Sequence, residues 1–313
     1  MWFPAYAGSH GLIGVIPMKR LKYKDTKDAY LFLAPSLVIF ITLVIFPILF
    51  SLVLSFTKWN FLSGFSGIQF VGLENFKRMT SDRYFKQAII NTFIYALTVV
   101  PLSILLALIL AYVMNTAVFF KKTLRLCFFI PYISSTVALA AVFKYLFREI
   151  NGPINLFLAN VIRMQSLPQW FTDDRLNKIP IITLLIWTSI GYELIIYMAS
   201  LSNISHSLYE AADIDGASGA TKFLKITIPL ISPTTFYLVI VRMIATFKLF
   251  TAVSIMTMGT SARANTTMVV RIYGDAFGAY KFGYASAEAW VLFVIILGIT
   301  LIQFWGQRKW VHY

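Results

Sequence analysis

Charged residues and cysteine are both scarce in this chain of 313 residues. Only 13% of the residues are charged and 58% are hydrophobic, whereas soluble domains average about 25% charged and about 45–50% apolar. A chain with so few polar groups cannot cover its own surface in water, which excludes an ordinary soluble protein. The single cysteine, Cys127, excludes a disulfide within the chain, a zinc site made of cysteines and Cys-x-x-Cys chemistry.

The sequence also lacks the residue patterns of an enzyme. Its three histidines, His10, His206 and His312, are scattered, and no His/Asp/Glu cluster has metal-ligand spacing. An intramembrane enzyme would place a Ser/Lys pair, paired aspartates or a His-Glu-x-x-His motif within an apolar stretch. None of these patterns occurs, so the sequence predicts no catalytic residue, no metal and no enzyme.

The chain carries a formal net charge of +14, from 27 Lys and Arg against 13 Asp and Glu. Such a charge is compatible with nucleic acid binding, but the basic residues lie in the connectors between apolar stretches. Anionic headgroups and the positive-inside rule both favour basic connectors. The charge therefore indicates a basic membrane protein in contact with the lipid bilayer and no nucleic acid partner.

Six stretches are apolar over about the 20 residues that a helix needs to cross a hydrocarbon core. They are Leu31–Phe56, Asn91–Met114, Leu126–Phe147, Pro180–Leu201, Phe236–Met258 and Ala287–Phe304. In hydrocarbon a helix satisfies its own backbone hydrogen bonds, so each stretch predicts a helix, and prolines in or near them predict kinks at Pro35, Pro47, Pro101 and Pro131. The predicted fold class is an all-α polytopic membrane protein with six transmembrane helices.

Charge clusters favour an orientation with both termini in the cytoplasm. Five basic residues precede the first stretch between Lys19 and Lys27, and others fill the shortest connector and follow the last stretch. Residues 1–29 are then a cytoplasmic leader, 30–306 a membrane domain and 307–313 a cytoplasmic tail. Met18 is as plausible a start as Met1. The connectors 57–90, 148–179 and 259–286 face outward in this arrangement.

The longest cytoplasmic connector, residues 202–235, is unlike an ordinary loop. Ser207 is placed to cap a helix whose first turn carries Glu210, which is favourable at the positive end of the helix dipole. Gly216 permits a sharp change of direction, and an amphipathic segment with Lys222 and Lys225 follows. Two short helices are therefore predicted to meet at an angle near Gly216, with small side chains at the apex that let a partner approach the backbone.

This connector resembles the EAA motif, E-A-A-x3-G-x9-I-x-L-P, of permease subunits in binding-protein-dependent ABC importers. Glu210-Ala211-Ala212, Gly216 and Ile226-x-Ile228-Pro229 keep its spacing, with Ile228 at a position where the motif has Leu. Other segments are similar to the carbohydrate branch of that family, which includes maltose and glycerol 3-phosphate permeases. They are Phe70-Val-Gly-Leu-Glu-Asn-Phe76, Ile130-Pro131-Tyr132 and Tyr284-Ala-Ser-Ala287.

The resemblance implies a type I importer fold in a bacterial inner membrane, with the 202–235 loop in the cytoplasm. Residues of about 208–217 are then a coupling helix in a groove of an ATP-binding subunit. The implied contact residues are Glu210, Ala211, Ala212, Asp215, Gly216 and Ala217. The implied partners are a second homologous permease, two ATP-binding subunits, an external solute-binding protein and a sugar, oligosaccharide or polyol phosphate.

ATP and Mg²⁺ are expected on the partner ATPase, and this chain needs no cofactor. Residues 216–222 faintly resemble a P-loop, but no Gly directly precedes Lys222 and Phe223 stands where Ser or Thr would hold Mg²⁺. A secondary transporter without an ATPase partner is the main alternative. It predicts inverted repeats and broken midplane helices, and the sequence indicates neither.

Ionisable residues inside spans are costly and usually mark a pathway or an ion pair. The sequence predicts a solute path lined by five residues on the fourth and fifth stretches: Thr188, Tyr192, Glu193, Thr246 and Lys248. The alternative is a purely structural ion pair of Glu193 with Arg242 or Lys248. For Lys144 and Glu288, near span ends, the expectation is that the side chains reach the interface.

Overall fold

A computed structural model describes residues 23–116, 120–257 and 262–310. Residues 1–22 of the predicted leader, Met258 and residues 311–313 of the predicted tail lie outside the described residues. The chain divides into two compact units, with the boundary between Phe50 and Ser51.

The described part of the first unit is helical, beginning at Tyr23 within the stretch assigned to the leader, and its last helix ends at Ser55 in the second unit. Helix α1 (Tyr23–Phe40) and helix α2 (Phe46–Ser55) are joined by a π-helical turn, Ile41–Ile45. Pro47 has no N–H to donate to the carbonyl four residues earlier, so the hydrogen-bonding pattern must shift just before it. The sequence predicts a kink at Pro47. In the structure the helix continues past Pro47, with a π turn just before it.

In the second unit, the end of α2 is followed by a short antiparallel pair of strands, β1 (Thr57–Lys58) and β2 (Gln69–Phe70). Its first helices are α3 (Glu74–Ser81), α4 (Arg83–Thr116), α5 (Lys121–Ile133), α6 (Thr136–Leu146), α7 (Pro153–Asn160) and α8 (Ile179–Ser202). Then follow α9 (His206–Ile214), α10 (Gly219–Lys222), a π-helical turn (Phe223–Thr227), α11 (Ile228–Leu230) and α12 (Ser232–Phe247). The last elements are α13 (Thr251–Thr257), α14 (Ala262–Asn265), α15 (Met268–Tyr273), a second π-helical turn (Gly274–Gly278) and α16 (Phe282–Trp310).

Within the described residues, four helices are long and apolar enough to cross a membrane. They are Lys27–Ser55, Arg83–Asn115, Ile179–Ser202 and Phe282–Gln307. Two further pairs of helices, bent by 96° and 65°, pass the same test together, which gives up to six spans if each pair is one span. The all-α membrane fold is confirmed, and six is the upper limit of the span count.

The third and fifth stretches are each broken, and the break in the third accompanies the kink predicted at Pro131. The third breaks between α5 and α6, where Pro131 lacks an N–H and the Ser134 hydroxyl bonds the Ile130 carbonyl at 2.7 Å. The fifth stops at Phe247, and the hydroxyl of Thr267 donates to the Leu249 carbonyl at 2.8 Å in place of a helical amide. A secondary transporter is disfavoured in the sequence partly by helices that show no break. Because two stretches are broken in the structure, this feature no longer counts against a secondary transporter.

Helix α4 lies at the centre of the second unit, packed against α8 and α12. Its buried face carries small residues at regular intervals, including the fully buried Ala88, Ala96, Ala107 and Ala111. In lipid, helices associate by close packing, and small side chains let their backbones approach. Where α8 meets α5, a Cβ on Gly191 would lie 2.2 Å from the Phe128 carbonyl oxygen, so only glycine fits this crossing.

Candidate functional site

The predicted coupling segment forms two short helices that meet at a sharp bend. Helix α9 begins at His206 with Ser205 at its N-cap, so the prediction that Ser207 caps it is wrong by two residues. Ser207 instead shares a 2.7 Å hydrogen bond with the Ser205 hydroxyl. Gly216 has φ +71°, the left-handed region that ends a helix at low cost in glycine alone.

The outer surface of this bend is exposed. No residue of α9 is buried, and Ile214, at its C-terminal end, is 88% exposed. Glu210 and Ala211 are exposed and Ala212 is half-buried.

The inner surface of the bend contacts the segment that follows it, and that segment contacts helix α4. The Tyr209 hydroxyl lies 2.9 Å from that of the fully buried Thr227, and Lys222 forms a 2.6 Å ion pair with Asp213 across the bend. The Phe223 ring packs against that of Tyr112 of α4, with ring centroids 4.6 Å apart and the ring planes tilted by 60°. These contacts join α9 to the segment after the bend, and that segment to the central helix α4.

The exposed face also contains a side-chain hydrogen bond that sequence reasoning missed. His206 Nδ1 lies 2.9 Å from the Glu210 carboxylate, and both side chains are largely exposed. Their spacing of four residues on one helix face is the signal that would have found this pair. Asp215 and Gly216 are exposed beside it, and Ala217 is half-buried.

A cleft of about 230 Å³ lies where α5, α6, α8 and α12 meet. Of the five predicted path residues, Thr188 and Thr246 line it. Tyr192 stacks on Tyr132, which also lines the cleft, with ring centroids 5.2 Å apart. Lys248 is exposed at the C-cap of α12 and is not among the residues lining this cleft.

Glu193 lies behind the cleft in an ion pair. It is 1% exposed and accepts hydrogen bonds from the Arg242 Nε at 2.7 Å and from the Ser103 hydroxyl at 3.0 Å. Of the two cations considered for this pair, the structure selects Arg242, and the Arg242 side chain itself lines the cleft. The Glu193–Arg242 ion pair and a solute path lined by Arg242 can therefore both be present.

A second polar cluster lies at the beginning of α16, and it corrects the expectation for Glu288. Glu288 does not reach the interface: it is fully buried and accepts from the Arg271 Nε at 2.6 Å. The Arg271 guanidinium also contacts Asp82 at 2.6 Å and Asp275 at 3.1 Å. Arg271 thus joins the α3–α4 junction, α15 with its π turn, and α16.

The electrostatics of Asp82 follow from its position at the N-terminus of α4. Burial opposes its ionisation, but the amide of Phe85 and the positive charge of Arg271 outweigh burial, so the pKa of this carboxyl is lowered. The Tyr284 hydroxyl donates to the same carboxylate at 3.0 Å. Sequence reasoning missed this cluster because its members are far apart in the chain, although Arg271 and Asp275 show the spacing of a helical ion pair.

The other ionisable residue expected at an interface, Lys144, is half-buried, and its ammonium donates to the Ile255 carbonyl of α13 at 3.2 Å. Within the described residues, no group of three or more His, Cys, Asp or Glu side chains has metal-binding geometry.

Comparison with curated proteins gives relatives of nearly the same length. The chain is 35% identical over 294 residues to the probable ABC transporter permease protein YesP of Bacillus subtilis (strain 168), covering 93% of each chain. It is 33% identical to the lactose transport system permease protein LacF of Rhizobium radiobacter, covering 92% of this chain and 96% of LacF. It is 31% identical to the sn-glycerol-3-phosphate transport system permease protein UgpA of Agrobacterium fabrum (strain C58), with 91% and 96% covered.

Among solved structures, the fold is similar to a chain of a bacterial ABC transporter involved in the import of the acidic polysaccharide alginate. The TM-score is 0.78 at 22% identity, and the match covers 92% of this chain and 98% of that chain. Residues 100–311 match the family described as binding-protein-dependent transport system inner membrane component. The resemblance inferred from the EAA motif is confirmed: this chain belongs to that family, as a permease subunit and not a catalytic enzyme.

Proposed function

We propose that this chain forms part of the path for a sugar, oligosaccharide or related polyol phosphate and is driven by partner ATP-binding subunits through the bend at Gly216. A second, homologous permease would complete the path. An external binding protein would deliver the solute to the outer connectors, and both termini would lie in the cytoplasm. ATP and Mg²⁺ would bind the partner ATPase.

The observation that carries the proposal is the bend between α9 and α10. It is exposed on its outer side, with Ile214 and Glu210 presented to solvent, and held to α4 on its inner side through Phe223. Closure of two ATP-binding subunits would move such an element as a rigid lever and switch the cavity from outward to inward facing. Glu210 would exchange His206 for a basic residue of the ATPase.

The test is co-purification of the ATPase with the tagged chain, together with solute-stimulated ATP hydrolysis. Gly216→Ala forces a Cβ into the left-handed region, at a cost of about 1–2 kcal/mol, and we expect stimulated hydrolysis to fall by about tenfold. Gly219→Ala is the matched control, because Gly219 is exposed, helical and has open space around it. Glu210→Arg and Gly216→Trp should release the ATPase.

Two results would contradict the coupling role. One is retention of the ATPase in both Glu210→Arg and Gly216→Trp. The other is an equal loss of stimulated hydrolysis in the Gly216→Ala and Gly219→Ala variants. Purification of an active transporter without any ATPase would favour the secondary-transporter alternative.

The cleft at α5, α6, α8 and α12 supports the second half of the proposal. Aromatic rings at Tyr132 and Tyr192 suit the C–H face of a sugar ring, and the hydroxyls of Thr188 and Thr246 suit its hydroxyls. The relatives named above include permeases for a neutral sugar and for an anionic polyol phosphate. The family alone therefore does not determine the charge of the solute.

Transport by a Tyr192→Ala/Glu193→Gln double variant tests the path. We expect uptake to fall at least about tenfold while the complex still assembles, because stacking and a hydrogen-bonded wall are both lost. Tyr192→Phe is the matched control, since it keeps the ring and removes the hydroxyl that lies 3.0 Å from that of Tyr237. Unchanged uptake by an assembled double variant would rule out this path.

A further inference from the structure

The cleft carries a positive charge, which comes from Arg242 in its ion pair with Glu193. Glu193 is 1% exposed, whereas the Arg242 side chain is 19% exposed and lines the cleft. The carboxylate thus lies behind the wall and the guanidinium in front of it. Among the described residues that line this cleft, Arg242 is the single charged side chain, so a solute would meet the positive end of the pair.

The contact between the two side chains leaves donors of the guanidinium available. Arg–carboxylate pairs commonly use two parallel N–H groups, but here only Nε reaches a carboxylate oxygen, at 2.7 Å. Nη2 lies 3.5 Å from the Ser189 carbonyl, at the limit of hydrogen bonding. No residue in the described part of the chain accepts a hydrogen bond from Nη1, and the second oxygen of Glu193 has no partner there either.

We propose that Arg242 is the specificity-determining residue of the cleft and that the solute is anionic, a saccharide bearing a carboxylate or a phosphate that the Nη edge of the guanidinium binds. This inference rests on the proposed sugar path. A planar guanidinium matches both groups in a two-point contact. In a site shielded from water, such a contact rejects a neutral analogue because the guanidinium donors would stay unpaired.

The neighbouring side chains suit the remainder of such a solute. Thr188 and Thr246 line the cleft together with Arg242, each with a hydroxyl whose oxygen is left to accept a hydrogen bond, and Tyr132 contributes a ring. Glu193 neutralises most of the charge of Arg242 in the empty site and lowers its cost within the membrane. The anion would thus be held by hydrogen bonds without the full attraction of an isolated cation, which permits release.

The charge in the cleft can be measured without knowing the solute. A reporter cysteine replaces Thr136, an exposed residue of the cleft, in a Cys127→Ser background. The probes are the anionic sulfonatoethyl and the cationic trimethylammonioethyl methanethiosulfonates, applied to the reconstituted complex. We expect the ratio of anionic to cationic reaction rates to fall at least about fivefold in Arg242→Gln and to persist in Arg242→Lys.

Two controls separate a local charge from a change in folding. Removing Arg242 alone leaves Glu193 buried and unpaired, so the Arg242→Gln/Glu193→Gln variant replaces the ion pair by two amides and should show a smaller fall in the same direction. A reporter at Ser66, exposed on the connector between β1 and β2, should keep its rate ratio in every variant. An unchanged ratio at position 136 in both glutamine variants would overturn the proposal.

The second measurement compares solutes in ATP hydrolysis by the complex with its binding protein. The panel pairs uronic acid oligosaccharides and sugar phosphates with neutral saccharides of the same size. We expect stimulation by anionic members alone, with a loss of at least about tenfold in the double glutamine variant. Stimulation by neutral members alone would overturn the proposal. A lowered rate ratio with no stimulation by any saccharide would instead contradict the sugar path and support the anion site.

Discussion

Replacing Gly191 by alanine should separate two helices, α5 and α8, that form part of the cleft. Gly191 is buried in α8, and an added Cβ would lie 2.2 Å from the Phe128 carbonyl oxygen and 3.0 Å from the Phe129 Cα, both backbone atoms of α5. No side-chain rotation relieves a clash with backbone. Helix α5 must therefore move by about 1 Å to restore an ordinary contact distance.

The expected cost combines two opposing effects. Alanine favours a helix over glycine by about 1 kcal/mol, whereas overpacking a close contact costs about 1–3 kcal/mol. We expect Gly191→Ala to lose about 1–2 kcal/mol of stability, since separating the helices also removes packing that drives their association in lipid. The displacement would also disturb the stack of Tyr132 on Tyr192, so uptake should fall more than the amount of assembled complex does.

The assay is thermal stability of the detergent-solubilised complex, followed by size-exclusion chromatography, with uptake in proteoliposomes. Gly298→Ala in α16 is the matched control, because a Cβ there meets no atom within 4 Å. It should be neutral or slightly stabilising. Equal stability of the two alanine variants, with normal uptake in both, would refute the claim that the α5–α8 crossing requires glycine.

Three further outcomes are expected. Arg271→Gln removes the cation shared by three carboxylates and should destabilise the complex by about 3–5 kcal/mol, whereas Lys281→Gln, at an exposed site, should change thermal stability little; equal effects would contradict a structural role for the cluster. Partial burial opposes ionisation of Glu149, but the hydrogen bonds from the Phe171 amide and the Thr172 hydroxyl outweigh it and lower the pKa of this carboxyl. The stability that the ionised carboxylate contributes is therefore present at neutral pH and lost as the pH falls through the lowered pKa. A thermal stability scan from pH 7 to pH 3 should be flatter in Glu149→Gln than in wild type. Tyr209→Phe removes one hydrogen bond between α9 and Thr227 and should lower stimulated ATP hydrolysis about two- to fivefold while the ATPase still co-purifies. Hydrolysis at the wild-type rate would show that this hydrogen bond does not contribute to coupling.

Features that depend on local pattern could be predicted from the sequence. The apolar stretches at residues 91–114, 180–201 and 287–304 form helices because a run of about 20 apolar residues has no other way to satisfy its backbone in lipid. The bend at Gly216 follows from glycine at a position that needs a left-handed conformation, and the spacing of Glu210 and Pro229 around it was enough to indicate the family.

The tertiary structure alone decided where polar groups find partners. Glu288 is buried because Arg271 reaches it, and the same guanidinium binds Asp82, which is 189 residues away in the chain. The break after α12 depends on the hydroxyl of Thr267, which satisfies a carbonyl that a continuous helix would have satisfied itself. Burying a charge or freeing a backbone carbonyl is tolerated only when a distant group compensates, and no local pattern specifies which distant group the fold brings near.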